Sequence, residues 1–576
     1  MGSAGATTAK AKAAPSGVVN FAEQPAGAPV WIFPMFPPEY FTIQEQSWFE
    51  YLLFPPLYQF GEAPGNPTID YSTSLGNPPV YSHNDTKVTI TLKHWKWSNG
   101  KPVTTRDITF WLNLFSANKK KTGQYSPGGM PTNLKSVDVI SPYKMTFTLT
   151  RPYSPTYFTD NQLSDITPMP QTAWDKESTS GSVGNYDTTH AGAVKVFDFL
   201  TAQSKDVNTY STNPLWKTVD GPWILSNYST TGKVQFTPNK SYSGPNKPKI
   251  AQFNEVPFTS FTSEYDALRA GLVNVGFIPT TDAATIKADK ALGFKVAPWP
   301  IYGFNSLLIN FNNPTVGPIF KQLYVRQALE EMITQPADIR VALHGYGTPT
   351  NGPVVNGPKD QTAAVEKKPL YPYNPSAAKK LLASHGWDIK PNGISTCASP
   401  GTGATDCGAG IASGAKLDFN VVTYTGQTFQ QIEMENFKSA ASSAGIQINI
   451  SQVANAYILA GACKPTQSDC SWQMSDFGGY PYTAGIYYPV GSGYFDCNAS
   501  KNHENYCSAK EDALDKAAEA PGGSIIPWET YVAKNLPMLW IPNTDFKIMA
   551  FSKNLKGVTP FSGRLSIFPQ TWRFAK

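Results

Sequence analysis

Helix and strand patterns alternate along the second half of this chain, and this alternation constrains its fold more than any single motif does. The segments 374–387 and 427–444 have the apolar spacing of helices that end at Gly386 and Gly445, and Ser376 is the expected cap of the first. The neighbouring stretches "LDFNVVTY" and "IQINI" have the composition of strands. The pattern predicts mixed layers of helix and sheet, an α/β fold.

A compact strand–turn–helix unit is predicted in the first half. Val88, Ile90 and Leu92 alternate as one face of a strand. The turn "SNGK" follows, and Thr104 can cap the next helix, with Asp107 three residues further on. The apolar stripe of that helix is Ile108, Trp111, Leu112 and Phe115. Other predicted elements are helices at 45–54 and 324–333, a helix ended by Gly271 and followed by a strand within 263–279, two strands within 137–150, a hairpin at 221–239, a strand at 303–313 and a loop at 176–192.

Length and charge narrow the class of protein. The 576 residues exceed what one hydrophobic core can organise, because cores stop growing beyond about 250–300 residues, so we expect several domains. The net charge is only +5 and the lysines are scattered, which argues against a nucleic-acid partner. No apolar run is long enough to predict a membrane span. Residues 1–19 are small and polar and predict a flexible leader without a signal-peptide pattern.

The six cysteines occur in three close couples within one part of the chain, and none forms a C-x-x-C pair. This spacing disfavours a structural zinc site and favours disulfide bonds, which form in oxidising compartments. The pairing stays open at this level, although pairing of neighbours is the simplest arrangement. The candidates are Cys397, Cys407, Cys463, Cys470, Cys497 and Cys507.

Local signatures of catalysis are absent from the sequence. It contains no G-x-S-x-G elbow, no H-E-x-x-H pair and no phosphate-binding G-x-x-x-x-G-K-[ST] loop, and its six histidines are dispersed. We therefore expect a binding protein without cofactor or metal rather than an enzyme, and many aromatic residues favour a ligand pocket.

Five ordered stretches resemble one known family. They are "VTITLKHWKWSNGKPVTTRDITFWL", "GPWIL" followed by "VQFTPNKSYSGPNKPKI", "YDALRAGLVNVGFIP", "FKQLYVRQALEEMI" and "YNPSAAKKLLASHGW". They resemble the solute-binding proteins of ABC importers, family 5, which include dipeptide-, oligopeptide- and nickel-binding proteins. The resemblance extends from about residue 20 to the C-terminus.

The resemblance implies two lobes that close around a hinge, with an extra domain inserted in the first. It divides the chain into lobe one (20–58, 219–300 and 541–576), the extra domain (59–218) and lobe two (301–540). The hinge crossings would be "WPIYGFNS" and "LPMLWIPN". It further implies an exported, lipid-anchored monomer that delivers peptides to the permease subunits of an ABC transporter.

The stretch 472–497, "WQMSDFGGYPYTAGIYYPVGSGYFDC", holds eight aromatic residues, five glycines and two charges, Asp476 and Asp496. Peptide binders of the family carry a carboxylate in a W-x-x-D-Y-like segment, where it pairs with the peptide α-ammonium. The resemblance implies this role for Asp476. The other implied ligand contacts are Trp472, Gln473, Met474, Phe477, Tyr480 and Tyr482, with Tyr302, Asn305 and Trp540 near the hinge.

Two alternatives remain at this level. Aromatic platforms also suit sugar rings, so an oligosaccharide receptor of the same fold is possible. A secreted hydrolase is a third class, because paired catalytic carboxylates cannot be seen in a linear sequence. None of the seven arginines lies in 472–497, so no fixed charge for a peptide C-terminus is predicted there.

Overall fold

The computed structural model describes residues 15–575 apart from 26, 41, 62–67, 358–360, 454–470, 484, 490, 498, 500 and 561–564. The longer helices in these ranges are α1 (Thr105–Asn118), α2 (His190–Ser204), α3 (Phe261–Arg269), α4 (Ile286–Ala291), α5 (Leu323–Glu330), α6 (Gln335–Val341), α7 (Pro375–Ser384), α8 (Thr428–Ser443), α9 (Ala509–Glu519) and α10 (Ile526–Asn535). Among the described residues, no helix has the length and apolar character needed to cross a membrane.

The largest sheet is assembled from four separate parts of the chain. Its strands are β1 (Val18–Ala22), β6 (Trp223–Tyr228), β7 (Val234–Pro238), β8 (Gln252–Val256), β9 (Val275–Ile278), β10 (Phe294–Pro300), β12 (Gly347–Thr348) and β19 (Asn543–Ser552). They lie in the order β10-β19-β9-β1-β8-β7-β6, and β12 pairs with β19. Because β1 lies between β9 and β8, the N-terminal strand ties this sheet together.

A second sheet has five strands and its own core. Its strands are β11 (Gly303–Ile309), β15 (Asp418–Tyr424), β16 (Gln447–Val453), β17 (Met474–Pro481) and β18 (Leu539–Ile541), in the order β16-β15-β17-β11-β18. An apolar cluster joins this sheet to α5, α7 and α8. The strands and helices that were predicted separately for 303–453 therefore pack together as one sheet and the helices against it.

The chain passes between these two sheets at two neighbouring points. It leaves β10 at Pro300 and enters β11 at Gly303, then returns from Ile541 in β18 to Asn543 in β19. Side chains link the crossings: Asn305 Nδ2 donates to Pro542 O at 3.0 Å and Asn543 Nδ2 donates to Ile301 O at 3.1 Å. Two adjacent connections that are hydrogen-bonded to each other form a hinge between the two parts of the molecule, each built around one of the sheets.

A third sheet is antiparallel and lies within the N-terminal half. Its strands are β2 (Val80–Ser82), β3 (Lys87–Thr91), β4 (Leu134–Ser141) and β5 (Lys144–Leu149), in the order β2-β3-β5-β4. The α1 helix follows β3 and begins with the predicted capping box of Thr104 and Asp107. Its predicted apolar stripe is buried. Two short pairs, β13 (Trp387–Asp388) with β14 (Thr396–Cys397) and β20 (Leu555–Lys556) with β21 (Arg573–Phe574), complete the strands that the structure describes.

Several local predictions need correction. The cap of α7 is Asn374, whose side chain accepts from Ala377 N, and not Ser376. An Asn one residue before Pro375 offers the cap oxygen, and proline at the first helical position needs no N–H partner. The loop predicted at 176–192 already contains the start of α2, capped by Thr189. The helix predicted at 45–54 is a π-helix over Glu45–Glu50 and an α-helix over Tyr51–Leu53.

Disulfide bonds join Cys397 to Cys407 and Cys497 to Cys507, which confirms neighbour pairing for two couples. Cys463 and Cys470 lie outside the described residues. The domain boundaries given above remain a prediction.

Candidate functional site

The strand that carries Asp476 lies in the middle of the second sheet. β17 pairs with β11 on one side and with β15 on the other. The register with β11 shifts so that Asp476 and Phe477 together stand opposite Leu307, and Gly478 takes a φ of +104°. A β-bulge of this kind re-aims side chains and is common beside binding sites. The glycine at 478 permits the backbone conformation that the bulge requires.

Asp476 is completely buried against α8. Gln430 Nε2 donates to its Oδ1 at 2.9 Å, and the carboxyl forms no ion pair with a described residue. Burial raises the pKa of the Asp476 carboxyl to about 7, and hydrogen bonds from Gln430, the Gly478 N–H and Thr423 offset part of that rise. Burial, followed by the charge of Asp476, also raises the pKa of the neighbouring Glu433 carboxyl. A cationic group would stabilise the ionised form of Asp476 in this environment.

The rings that follow Asp476 pack together beside the hinge. The Tyr480 ring lies 4.4 Å from that of Tyr494 and 5.3 Å from that of Phe304, and Tyr482 Oη donates to Pro353 O at 2.6 Å. Ring pairs of this kind stabilise beyond the area they bury. We call the buried group the aromatic wall; its members are Tyr480, Tyr482, Tyr487, Tyr488, Tyr494 and Phe495.

Residues from the N-terminal half close over the aromatic wall. The Phe60 ring lies 3.7 Å from that of Tyr487. Asn161 Nδ2 donates to Tyr488 O at 2.9 Å, and Tyr488 N donates to Asn161 Oδ1 at 2.6 Å. The Asn161 side chain is buried in this contact. These contacts hold the N-terminal half of the chain against the aromatic wall, so the wall is buried between the N-terminal half and the second sheet.

A second closing contact lies at the end of α9. Ser154 N donates to Glu519 O at 2.6 Å, and the Arg151 guanidinium forms an ion pair with the Glu519 carboxylate. Arg151 also lies over the Tyr153 ring at 4.0 Å. Because these partners are separated by more than 360 positions in the sequence, no local pattern could have identified them.

The other residues that were predicted to contact ligand lie in different parts of the structure. Met474 is buried in the core of the second sheet, and Gln473 Oε1 accepts from Asn420 N at 2.7 Å. Asn305 is part of the hinge cross-link described above. Tyr302 lies within 5.2 Å of both Tyr482 and Tyr487, ring to ring. The side chain of Phe477 is outside the described set.

Two tryptophans that were predicted to contact ligand have buried indole N–H groups. The indole N–H of Trp472 and that of Trp540 are buried and have no hydrogen-bond partner among the described residues. Trp540 also lies edge-on to Phe304, with ring centroids 5.7 Å apart. Buried donors without partners are costly, so each suits an acceptor on a bound molecule.

An apolar cavity adjoins the closing contact at Phe60. It lies between the segment that leads into Phe60 and the C-terminal segment 566–570. Its lining includes Tyr51, Pro56, Phe60, Ile567 and Phe568. None of these residues was predicted to contact ligand, because each reads locally as an ordinary apolar core residue.

The comparisons agree with this architecture. A Brucella ovis protein that is named as an ABC transporter peptide-binding protein is 26% identical over 305 residues, 53% of this chain and 50% of its own length. The chain thus matches about half of the length of such curated relatives. The oligopeptide-binding protein AppA of Bacillus subtilis, solved with a nonapeptide, is 19% identical with a TM-score of 0.69, over 98% of this chain and 100% of that one.

NikA of Brucella suis, solved with Fe(III)-EDTA, is 16% identical with a TM-score of 0.70, over 97% of this chain and 100% of that one. At such identities the likeness concerns the fold, and it confirms the expected two-lobe periplasmic-binding-protein fold. The family described as bacterial extracellular solute-binding proteins, family 5 Middle, matches residues 75–504. The chain therefore belongs to the family 5 bacterial extracellular solute-binding proteins.

Proposed function

We propose that this protein is the extracytoplasmic receptor of an ABC importer, that it binds peptides between its two lobes, and that Asp476 pairs with the peptide α-ammonium. The observation that carries this assignment is the Asp476 carboxyl, completely buried at a bulge of β17 and in no ion pair with a described residue. The α-ammonium of a peptide is the complementary group, and a desolvated charge-assisted hydrogen bond contributes about 1.5–3 kcal/mol.

Groups outside the immediate surroundings of Asp476 support a peptide over a single ion. The unpaired indole N–H groups of Trp472 and Trp540 suit the carbonyl oxygens of a peptide backbone. The aromatic wall supplies apolar surface for side chains. The relatives named above include one solved with a nonapeptide, which agrees with this ligand class.

The proposal extends to the partners and location of the protein. As a receptor it acts as a monomer outside the cytoplasm, held to the membrane by a lipid anchor, and passes its ligand to permease subunits. The two disulfide bonds support the exported location, because they persist in oxidising compartments. It performs no catalysis in this role.

A thermal-shift screen with defined peptide pools tests the assignment. Peptide at about 100 times Kd should stabilise the protein by about 2.7 kcal/mol. Asp476→Asn should lose most of that shift, whereas Asp418→Asn, a partly exposed carboxylate on the adjacent β15, should keep it. Stabilisation by oligosaccharides instead, unchanged in Asp476→Asn, would assign the cleft to sugars and reject the peptide role.

A further inference from the structure

One end of the largest sheet lies away from the hinge. β10 runs from Phe294 at this end to Pro300 at the hinge, and β19 runs back from Asn543 to Ser552. The register places Phe294 opposite Ser552, so the two strands share this end. Since β19 has ten residues, the end lies about 30 Å from the hinge at a rise of about 3.4 Å per residue.

Six segments of the chain meet at this end of the sheet. β1, β8, β9 and β10 all begin there, because β1 is parallel to β8 and β9, and β19 is antiparallel to β9 and β10. The β21 strand pairs there with β20, which follows β19. The segments that lead into or follow these strands are 15–17, 239–251, 270–274, 290–293, 553–557 and 571–575.

These six segments contain no aspartate or glutamate. The chain as a whole has 47 basic and 42 acidic residues, so this separation of charge is local. We call the surface formed by the six segments the basic end. Its exposed cations are Lys240, Lys247, Lys249, Lys290, Lys553 and Arg573.

Acidic side chains close to the basic end neutralise little of its charge. Asp289 of α4 is buried and forms an ion pair with Arg269 at 3.5 Å. Asp266 is the exposed carboxylate of α3 and α4. Three of the six exposed cations form no ion pair with a described residue; they are Lys249, Lys290 and Lys553.

Two exposed leucines lie among these cations. Leu272 is 67% exposed and Leu292 is 57% exposed, although leucine is usually buried. Leu272 O accepts from Asn20 Nδ2 at 3.1 Å, and Lys553 N donates to Gly293 O at 3.0 Å. The leucines therefore lie in the connections that lead into β9 and β10, on either side of β19. Apolar side chains among lysines are typical of surfaces that bind in the headgroup region of a membrane.

We propose that the basic end binds the surface of a membrane that contains anionic phospholipids. Anionic headgroups are complementary to its charge, and each lysine or arginine near such a surface strengthens binding about fivefold. The cations extend from the β7–β8 connection to β10, across six neighbouring strands, which is about 24 Å at about 4.8 Å between strands. This spread and the two leucines favour a lipid surface over an acidic protein.

Binding at the basic end leaves the hinge and the aromatic wall free, because they lie at the other end of the largest sheet. The membrane then holds the protein in one orientation. The inference goes beyond the proposed function and does not depend on the peptide role of Asp476.

Co-sedimentation of the 576-residue chain with lipid vesicles measures this binding. Vesicles made of equal parts of phosphatidylglycerol and phosphatidylcholine should sediment the protein, whereas phosphatidylcholine alone should leave most of it in solution. Salt at about 1 M should release the protein, since the screening length then falls to about 3 Å.

The variant Lys249→Gln/Lys290→Gln/Lys553→Gln should bind anionic vesicles about 100-fold more weakly, at about fivefold for each lysine. Its melting temperature should not change, because the three side chains are exposed. The matched control removes the same net charge from exposed lysines elsewhere and should sediment as wild type does; it is Lys367→Gln/Lys368→Gln/Lys380→Gln.

A second variant separates membrane binding from binding of a single anion. Leu272→Ser/Leu292→Ser keeps every charge and should weaken vesicle binding about tenfold, because the leucines no longer enter the interface. Unchanged binding by this variant, or release of wild type by millimolar glycerol phosphate, would indicate a site for one phosphate group and overturn the proposal.

Three further outcomes would overturn the proposal. Neutral and anionic vesicles would sediment the protein equally, or the triple lysine variant would sediment as its control does. Retention on immobilised polyglutamate without vesicle binding would assign the basic end to an acidic protein partner. Peptide binding in the thermal-shift screen is measured without vesicles, so failure of either proposal leaves the other standing.

Discussion

The affinity of the protein for peptides should depend on pH through Asp476. Its carboxyl has a pKa raised to about 7 by burial in the ligand-free structure. Pairing with an α-ammonium requires the ionised form, so binding below pH 7 must first remove a proton. Each pH unit below the pKa then costs about 1.4 kcal/mol, and binding at pH 5 should be roughly 100-fold weaker than the limit at high pH.

The peptide α-amino group limits the affinity at high pH. An α-amino group loses its proton at about pH 8, so a lysine-free peptide should bind best between about pH 7 and 8 and more weakly on either side. Isothermal titration calorimetry in buffers of different ionisation enthalpy measures the protons exchanged. At pH 6 wild type should release close to one proton per peptide bound, while Asp476→Asn should release almost none. A flat affinity between pH 5 and 7.5, or equal proton release by the variant, would refute the reasoning.

Two other perturbations follow from the structure. Asn161→Ala removes two hydrogen bonds to the Tyr488 main chain and should destabilise the closed state. Peptide binding, measured by calorimetry, should therefore weaken by about 5- to 100-fold. Unchanged affinity would argue against this contact as part of closure. Glu255 and Glu23 are buried together, and burial raises both pKa values, so their stabilising effect is complete at low pH and is lost as pH rises through the folded-state values. Glu255→Gln should therefore reduce the fall of melting temperature between pH 5 and 9, and an unchanged slope would contradict this assignment.

The sequence was informative wherever a structure depends on neighbours along the chain. The strand at Val88 and Ile90, the capping box at Thr104 and the hairpin at 221–239 all formed as predicted, because their signals lie within a few residues. Neighbour pairing of two cysteine couples belongs to the same class. The cap of α7 was wrong by two residues, since Asn374 and Ser376 are both good caps and only the backbone decides between them.

The candidate site was less predictable because it is assembled from distant segments. The resemblance directed attention to Asp476, but nothing local indicated that Gln430 would hold it or that β17 would bulge there. Phe60 and Asn161 meet the aromatic wall across hundreds of positions. Composition left open whether the rings of 472–497 face a ligand or one another, and in this structure those of the aromatic wall pack largely against one another and against the hinge.

The most direct test of the account is a thermodynamic cycle between Asp476 and the peptide N-terminus. Wild type and Asp476→Asn are titrated with one peptide carrying a free α-ammonium and with its N-acetylated form. The account predicts that acetylation weakens binding to wild type by roughly 10- to 150-fold, a coupling of about 1.5–3 kcal/mol, and has almost no effect on the variant. An equal effect of acetylation on both proteins, or none on either, would contradict the pairing of Asp476 with the peptide.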